Sequence, residues 1–205
     1  PRFADLLRCM SATSKLRAEL LAAHHLGRLE RMLELGTLAR TSAAAEAQLD
    51  ELSDGDVFDR RLALTALHTL RDGKRLLRFT EDVSRSLRCM AFTMVPRICD
   101  DAEALEALKI AYALRRDRLL LRNLANRGRR GVVDRYIDWL AERPGLHDFA
   151  DLVPLASSEG VRRHLDRALA RPSATFWQRM ARSAPGPLAE VLCARLRAVP
   201  GEPDA

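Results

Sequence analysis

Apolar residues recur along most of this chain at the spacing of amphipathic helices. Three stripes between residues 132 and 196 follow the i, i+3, i+4, i+7 pattern that places side chains on one helical face. The clearest stripe comprises Val132, Val133, Tyr136, Ile137 and Leu140. Sustained period-two alternation, which marks a half-buried strand, is almost absent. The pattern therefore predicts an all-α fold.

Helical segments begin at roughly 30-residue intervals over the second two-thirds of the chain. The predicted openings are Asp56, Asp82, Asp117, a position near Leu146, and Ser173. Glycine and proline fall between the helices, as at Pro144-Gly145, where one helix should stop and the next begin. A period of this length is typical of stacked helix pairs. We therefore expect an α-α superhelix, a solenoid of antiparallel helix pairs.

The first 55 residues are less regular than the rest. They predict three helices, over Lys15 to His25, Gly27 to Arg40 and Ser42 to Leu52. Because Leu20 to Leu26 loosely echoes Leu64 to Leu70, we expect residues 1–55 to form a degenerate repeat that caps the stack. A separate small helical bundle is the alternative. Residues 56–200 would then hold the repeats, and the polar tail 201–205 should fray.

The segment that begins at Asp56 has a more specific pattern. It reads Asp-x-x-x-Arg and continues as Leu-Ala-Leu-x-Ala-Leu, and Pro96 falls late in the helix predicted from Val83 to Ile98. Over residues 56–198 these features resemble HEAT-like (armadillo/HEAT-type) repeats. The resemblance implies a first helix bent by proline and an Asp–Arg ladder between successive repeats. Its pairs would be Asp56 with Arg60 or Arg61, Asp82 with Arg85 or Arg88, and Asp117 with Arg118 or Arg122.

The chain is basic, and its arginines concentrate in one window. Its formal net charge is +6, and residues 115–135 hold eight arginines against two aspartates. One interpretation is an electrostatic footprint for phosphate. The other is a general arginine bias, because lysine is nearly absent and acidic residues are interspersed as helix-face partners. The candidate partner-binding residues are Arg122, Asn126, Arg127, Arg129, Arg130 and Trp139.

The sequence contains no recognised constellation for catalysis, cofactor binding or metal binding. Neighbouring His24 and His25 would point about 100° apart on a helix, which favours a packing or capping role. Asp100, Asp101 and Glu103 are explained as a helix N-terminus. No glycine-rich phosphate loop or Gly-x-Ser-x-Gly motif occurs, and the four scattered cysteines predict buried free thiols. We expect no enzymatic activity, cofactor or metal.

These observations favour a non-enzymatic scaffold that binds a protein or peptide along the concave face of the stack. The alternative is a nucleic-acid-binding protein. Certain alkylpurine DNA glycosylases are built from HEAT-like repeats, and the parallel rests on Trp139, Asp138, Trp177 and the loop from Arg127 to Arg130. No apolar run approaches the ~20 residues that span a bilayer, and no secretory signal is evident. We expect no membrane contact and an intracellular, cytoplasmic location, with the nucleus as alternative.

Overall fold

The ordered elements of this chain are helices. A computed structural model describes residues 12–115, 118–143, 149–170, 174, 176–178 and 186–198, and within these ranges it contains no strand. The all-α prediction is therefore confirmed. The chain divides into two compact units, Pro1–Glu103 and Ala104–Ala205, which are described separately below. The predicted openings at Asp117, near Leu146 and at Ser173 lie outside the described residues, as does the tail 201–205.

The helices are numbered in chain order over the described residues. The first unit contains α1 (Ala12–Ala22), α2 (His25–Leu38), α3 (Ala43–Asp54), α4 (Val57–Leu70), α5 (Gly73–Arg78) and α6 (Arg85–Ile98). Helix α7 (Asp101–Arg115) starts at the end of this unit and continues into the second. The second unit contains α8 (Leu119–Asn126), α9 (Arg130–Ala141), α10 (Phe149–Leu152) with the 3-10 turn Val153–Leu155, α11 (Ser158–Ala170) and α12 (Pro187–Ala198). No helix of the described chain is both long and apolar enough to cross a membrane.

The boundary between the first two helices lies earlier than predicted. Helix α1 ends at Ala22, and α2 begins at His25 instead of Gly27. The reason is that His24 acts as the N-cap of α2: its Nδ1 accepts a hydrogen bond from the backbone N–H of Gly27 at 3.1 Å. The adjacent histidines therefore do not share one helix interior, and the capping interpretation of His24 is confirmed.

The acidic residues at the start of α7 form a reciprocal cap. The backbone N–H of Glu103 donates to Asp100 Oδ1 at 2.8 Å, and the N–H of Asp100 donates to Glu103 Oε2 at 3.0 Å. This arrangement is a capping box, which satisfies two of the N–H groups that a helix start leaves without intrahelical partners. The structural interpretation of this acidic cluster is thus confirmed.

In the first unit, α4 packs against α2 and α3 more extensively than against its other neighbours. Helix α2 turns Met32, Leu35 and Gly36 toward this core. A Cβ built on Gly36 would overlap the Ala66 carbonyl oxygen of α4 and lie 2.9 Å from Thr69 Cβ. The absence of a side chain at position 36 therefore lets the two helices approach closely.

In the second unit, a buried carboxylate joins α9 to the start of α11. Asp134 accepts hydrogen bonds from the backbone N–H of Ser157, at 2.8 Å, and from its hydroxyl. The Ser157 hydroxyl oxygen accepts in turn from the N–H of Gly160 at 3.2 Å. A Cβ on Gly160 would come 2.6 Å from Asp134 Cγ, so glycine leaves the space that the carboxylate fills.

Packing in both units is local along the chain. Helix α4 contacts α2, α3, α5 and α6, and α11 contacts α9, α10 and α12. We take α10 and its 3-10 turn as one element. The substantial contacts between described elements then join elements that are first or second neighbours in chain order. Such short-range packing is the pattern that stacked helical repeats share.

Arg60 and Asp82 form an ion pair that links two successive helical segments. Arg60 Nε on α4 lies 2.8 Å from Asp82 Oδ2, just before α6. The resemblance to HEAT-like repeats had implied a pair of Asp82 with Arg85 or Arg88. Arg88 instead donates to the Asp82 backbone carbonyl at 2.6 Å, because the Asp82 carboxylate is already turned toward Arg60 and the N–H of Ser84.

The predicted partners of Asp56 were wrong. Its carboxylate caps α4 by accepting from the N–H of Asp59 at 3.0 Å, and its other oxygen pairs with Arg17 of α1. Because the cap holds this carboxylate over the helix end, it pairs with neither Arg60 nor Arg61, the predicted partners. Arg17 Nε also lies 2.7 Å from Asp59 Oδ1, so one arginine holds two carboxylates.

The expectation of buried thiols is confirmed for only some of the described cysteines. Cys99 is buried just beyond the unbroken helix α6, while Cys89 within that helix is half-buried. Cys193 is exposed on α12, so the expectation was wrong for this residue, which lies off the apolar face formed by Leu188 and Val191. These three described cysteines are free.

Candidate functional site

A tight turn separates the candidate arginines at the end of α8. Gly128 has φ of +76°, its N–H donates to the Ala125 carbonyl at 3.1 Å, and the N–H of Arg129 donates to the Leu124 carbonyl at 2.9 Å. These two bonds form a Schellman motif, for which glycine is the favoured residue at the left-handed position. The motif ends α8 at Asn126 and turns the chain into α9, which begins at Arg130.

Only part of the predicted binding group lies open to solvent. Arg122, Asn126 and Arg127 are exposed on and just after α8. Arg129 is half-buried. Arg130 is also half-buried, and its Nη1 donates to the backbone carbonyls of Leu155 at 3.1 Å and Ala156 at 2.8 Å. The structure therefore assigns Arg130 to holding the 3-10 turn against α9, and the six residues do not form one exposed patch.

Trp139, the aromatic candidate, is half-buried under cationic groups of its own unit. The Arg143 guanidinium carbon lies 3.8 Å from the centroid of the indole ring, and Lys109 Nζ lies 5.8 Å from it. Tyr136 stacks beside the ring at 5.7 Å. Arg143 Nη1 also donates to the Trp139 carbonyl at 2.7 Å. A partner that used Trp139 as an anchor would have to displace these intrachain contacts.

Asp138, the acidic residue of the glycosylase parallel, is held by two basic side chains. His164 Nε2 lies 2.6 Å from Asp138 Oδ1, and Arg163 Nη2 lies 3.2 Å from Asp138 Oδ2. These contacts link α9 to α11. Across the described ranges, no group of three or more His, Cys, Asp or Glu side chains is arranged to hold a metal.

The other tryptophan, Trp177, lies beside a buried phenylalanine. Phe176 is fully buried, and the Trp177 ring meets it edge-on with 5.2 Å between centroids. The Trp177 residue remains 45% exposed. Phe176 is thus a core residue, whereas Trp177 packs against it and is only partly covered.

An exposed apolar surface lies on α2, where sequence reasoning predicted none. We call the side chains of Leu26, Leu29 and Leu33 the α2 leucine face; they are 63%, 39% and 40% exposed. Met32 and Leu35, about 60° and 120° further round the helix from Leu29, face the core and are 1% and 5% exposed. The sequence does contain the signal, because residues 26, 29 and 33 form an i, i+3, i+7 series distinct from the buried series.

Acidic side chains border the α2 leucine face. Glu30 and Glu34 are exposed, and we call them the acidic margin. Together with Glu19 of α1 they line a shallow cleft of about 580 Å³ between the two helices. Arg31 crosses this cleft, 3.0 Å from Glu34 and 3.5 Å from Glu19. A second depression, of about 500 Å³, adjoins it and is lined by Leu33, Glu34, Thr37 and Leu38.

Comparison of this chain with protein-family models, curated proteins and solved structures finds no match. A functional assignment therefore depends on the surfaces described above. Of these, the α2 leucine face has the most exposed apolar character, while the arginine and tryptophan candidates are partly engaged within their own unit.

Proposed function

We propose that this protein is a non-enzymatic interaction scaffold of the helical-repeat type, an α-α superhelix that binds a protein or peptide partner. The local packing of successive helices supports the repeat architecture. The observation that carries the binding function is the α2 leucine face. Three large apolar side chains on consecutive turns of one helix form a contiguous surface of the kind that marks interaction sites.

The leucine face is large enough to supply useful binding energy. Complete burial of a leucine side chain contributes about 1.5–3 kcal/mol. Because Leu26, Leu29 and Leu33 are already partly covered, we assign each about 1 kcal/mol on binding. The total of about 3 kcal/mol corresponds to about a hundredfold in Kd. From the sequence we expect the partner along the concave face of the stack, and we propose α2 as the surface that holds its anchors.

Nucleic-acid binding is the alternative function, and the arginine geometry favours it less. Phosphate-dominated affinity requires several cationic side chains free to replace counterions. Arg130 is bonded to two backbone carbonyls, and Arg129 is half-buried. Arg122 and Arg127 are the exposed arginines of the predicted group, which is a small footprint for a phosphate backbone.

The scaffold proposal is tested by polar substitution of the leucine face. Leu29→Gln with Leu33→Gln retains helix propensity while removing apolar surface, so the fold should persist. Partners captured from cell extract are quantified for wild type and variant, and the affinity of the recovered partner is then measured with purified proteins. We expect the double variant to bind at least tenfold more weakly.

The control removes exposed apolar surface elsewhere in the same unit. Val57 is 44% exposed and Val83 is 80% exposed, and neither lies on α2. The Val57→Thr, Val83→Thr protein should retain the partner at wild-type affinity. Equal retention by both variants, with circular dichroism showing both folded, would contradict the proposal.

A further inference from the structure

We propose that the occupant of the α2 leucine face is an amphipathic helix of another protein, with lysine or arginine along one side of its apolar stripe. This inference rests on the proposed scaffold function and adds the chemistry of the partner. It follows from which side chains border the leucines on α2. The leucine face has one border of solvent-exposed carboxylates and another formed by the protein's own core.

Helical geometry places these groups in a defined order around α2. At about 100° per residue, Leu26, Leu29 and Leu33 fall within an arc of about 60°. Glu30 and Glu34 follow on one side within about another 80°. Gly36, on the other side, is buried against α4. A helix lying on the leucines therefore has one long edge next to the acidic margin.

The local charge at this edge is opposite to that of the whole chain. The cleft beside α2 carries the carboxylates of Glu19, Glu30 and Glu34 and one cation, Arg31, which pairs with two of them. The protein as a whole has a formal charge of +6. Long-range attraction thus favours an acidic ligand, whereas contact with the acidic margin favours a basic one. The charge of the peptide that binds more tightly therefore shows whether the net charge of the protein or the local acidic margin dominates.

A second copy of this chain fits the surface poorly. Two-fold antiparallel pairing of α2 with itself brings the same edge of both helices together, so the acidic margins would face each other. Parallel pairing would set the acidic margin of one copy against the packed side of the other. A helix of another protein is not bound by this symmetry. Its basic edge can lie against the acidic margin, so that opposite charges meet.

The test uses three labelled synthetic peptides of about 18 residues, long enough to form a helix on the surface. The first has a leucine stripe with lysines on the polar positions, the second has the same stripe with glutamates, and the third has the composition of the first with its leucines scattered. Binding to the intact protein is measured by fluorescence anisotropy at low and physiological salt. We expect the leucine–lysine peptide to bind about five- to tenfold more tightly than the leucine–glutamate peptide, from about two exposed ion pairs.

Variants then locate the interaction on α2. Glu30→Lys with Glu34→Lys should reverse the preference between the two stripe peptides. A control with the same charge change at the exposed residues Glu81 and Glu142 should leave the order unchanged. Leu29→Gln with Leu33→Gln should weaken both stripe peptides at least tenfold.

Failure of this inference is distinguishable from failure of the scaffold function. Equal binding of the scattered peptide, preference for the glutamate peptide, no peptide binding, or concentration-dependent self-association through α2 would each overturn the basic-helix proposal. If the natural partner is still lost with the leucine variant, the scaffold function stands with a different partner chemistry. If the partner is retained by that variant, the scaffold proposal itself fails.

Discussion

Gly36→Ala tests the close approach of α2 and α4. The added Cβ would overlap the carbonyl oxygen of Ala66 and lie 3.1 Å from its carbonyl carbon. Both atoms belong to the backbone of a helix, so they cannot rotate away as a side chain would. Helix α2 must instead move outward, which loosens the contacts of Met32 and Leu35.

The expected cost of Gly36→Ala follows from two opposing terms. Forcing a methyl group into a packed core costs about 1–3 kcal/mol, and the backbone overlap places this case near the upper end. Alanine is better than glycine in a helix by about 1 kcal/mol. We therefore expect the free energy of unfolding to fall by about 2 kcal/mol. Urea denaturation followed by circular dichroism measures it.

Gly27→Ala is the matched control because it lies on the same helix without a close neighbour. The nearest atoms to its added Cβ are Ala23 Cβ and His24 Cε1, both at 3.6 Å, which is ordinary contact. Only the propensity term acts, so the protein should gain up to about 1 kcal/mol. If Gly36→Ala were as stabilising as Gly27→Ala, the close packing of α2 on α4 would be refuted.

Two further predictions concern charge. The backbone N–H of Asp59, and after it the N–H of Phe58 and the positive charge of Arg17, hold the pKa of Asp56 below its ordinary value of 3.8, against an opposing effect of burial. The Asp56 carboxylate therefore stabilises the fold above that pH, and the stabilisation is lost as pH falls through the lower folded pKa. Asp56→Asn, which keeps a capping side chain, should lower the urea midpoint at neutral pH, and a deficit that does not shrink in acid would contradict the assignment. Arg122→Glu with Arg127→Glu should weaken binding of labelled duplex DNA and single-stranded RNA no more than an equal charge change at other exposed sites; a selective, salt-sensitive loss would favour the nucleic-acid function. The control sites are Arg85 and Arg197.

The hydrophobic pattern was sufficient to predict an all-α fold and one buried face. Every residue of the stripe from Val132 to Leu140 that the spacing placed inward is buried in α9. Local capping signals were also readable, because a cap requires only residues close in sequence, as at Asp100 and Glu103. Periodicity and caps depend on local geometry, and a single sequence contains that information.

Contacts between distant residues were not predictable in the same way. Arg17 reaches Asp56 from another helix, and nothing in the local sequence of either residue indicates the pair. From the sequence, Arg130 was a candidate for partner binding. In the structure its guanidinium donates to the carbonyl oxygens of Leu155 and Ala156, which are distant in sequence. On α2 the exposure of the leucines at 26, 29 and 33 could not be predicted, because periodicity does not say which of two apolar faces meets the rest of the protein.

The short range of the helix contacts also bears on how this chain acquires its structure during synthesis. Within each unit, the described helices that are in substantial contact are neighbours one or two elements apart in chain order, so a newly emerged helix finds a partner among the helices just made. Low contact order is associated with fast folding, since little loop-closure entropy is lost before contacts form. Nascent chains of increasing length should therefore gain protease protection in small steps, with each added helix completing the packing of the one before it.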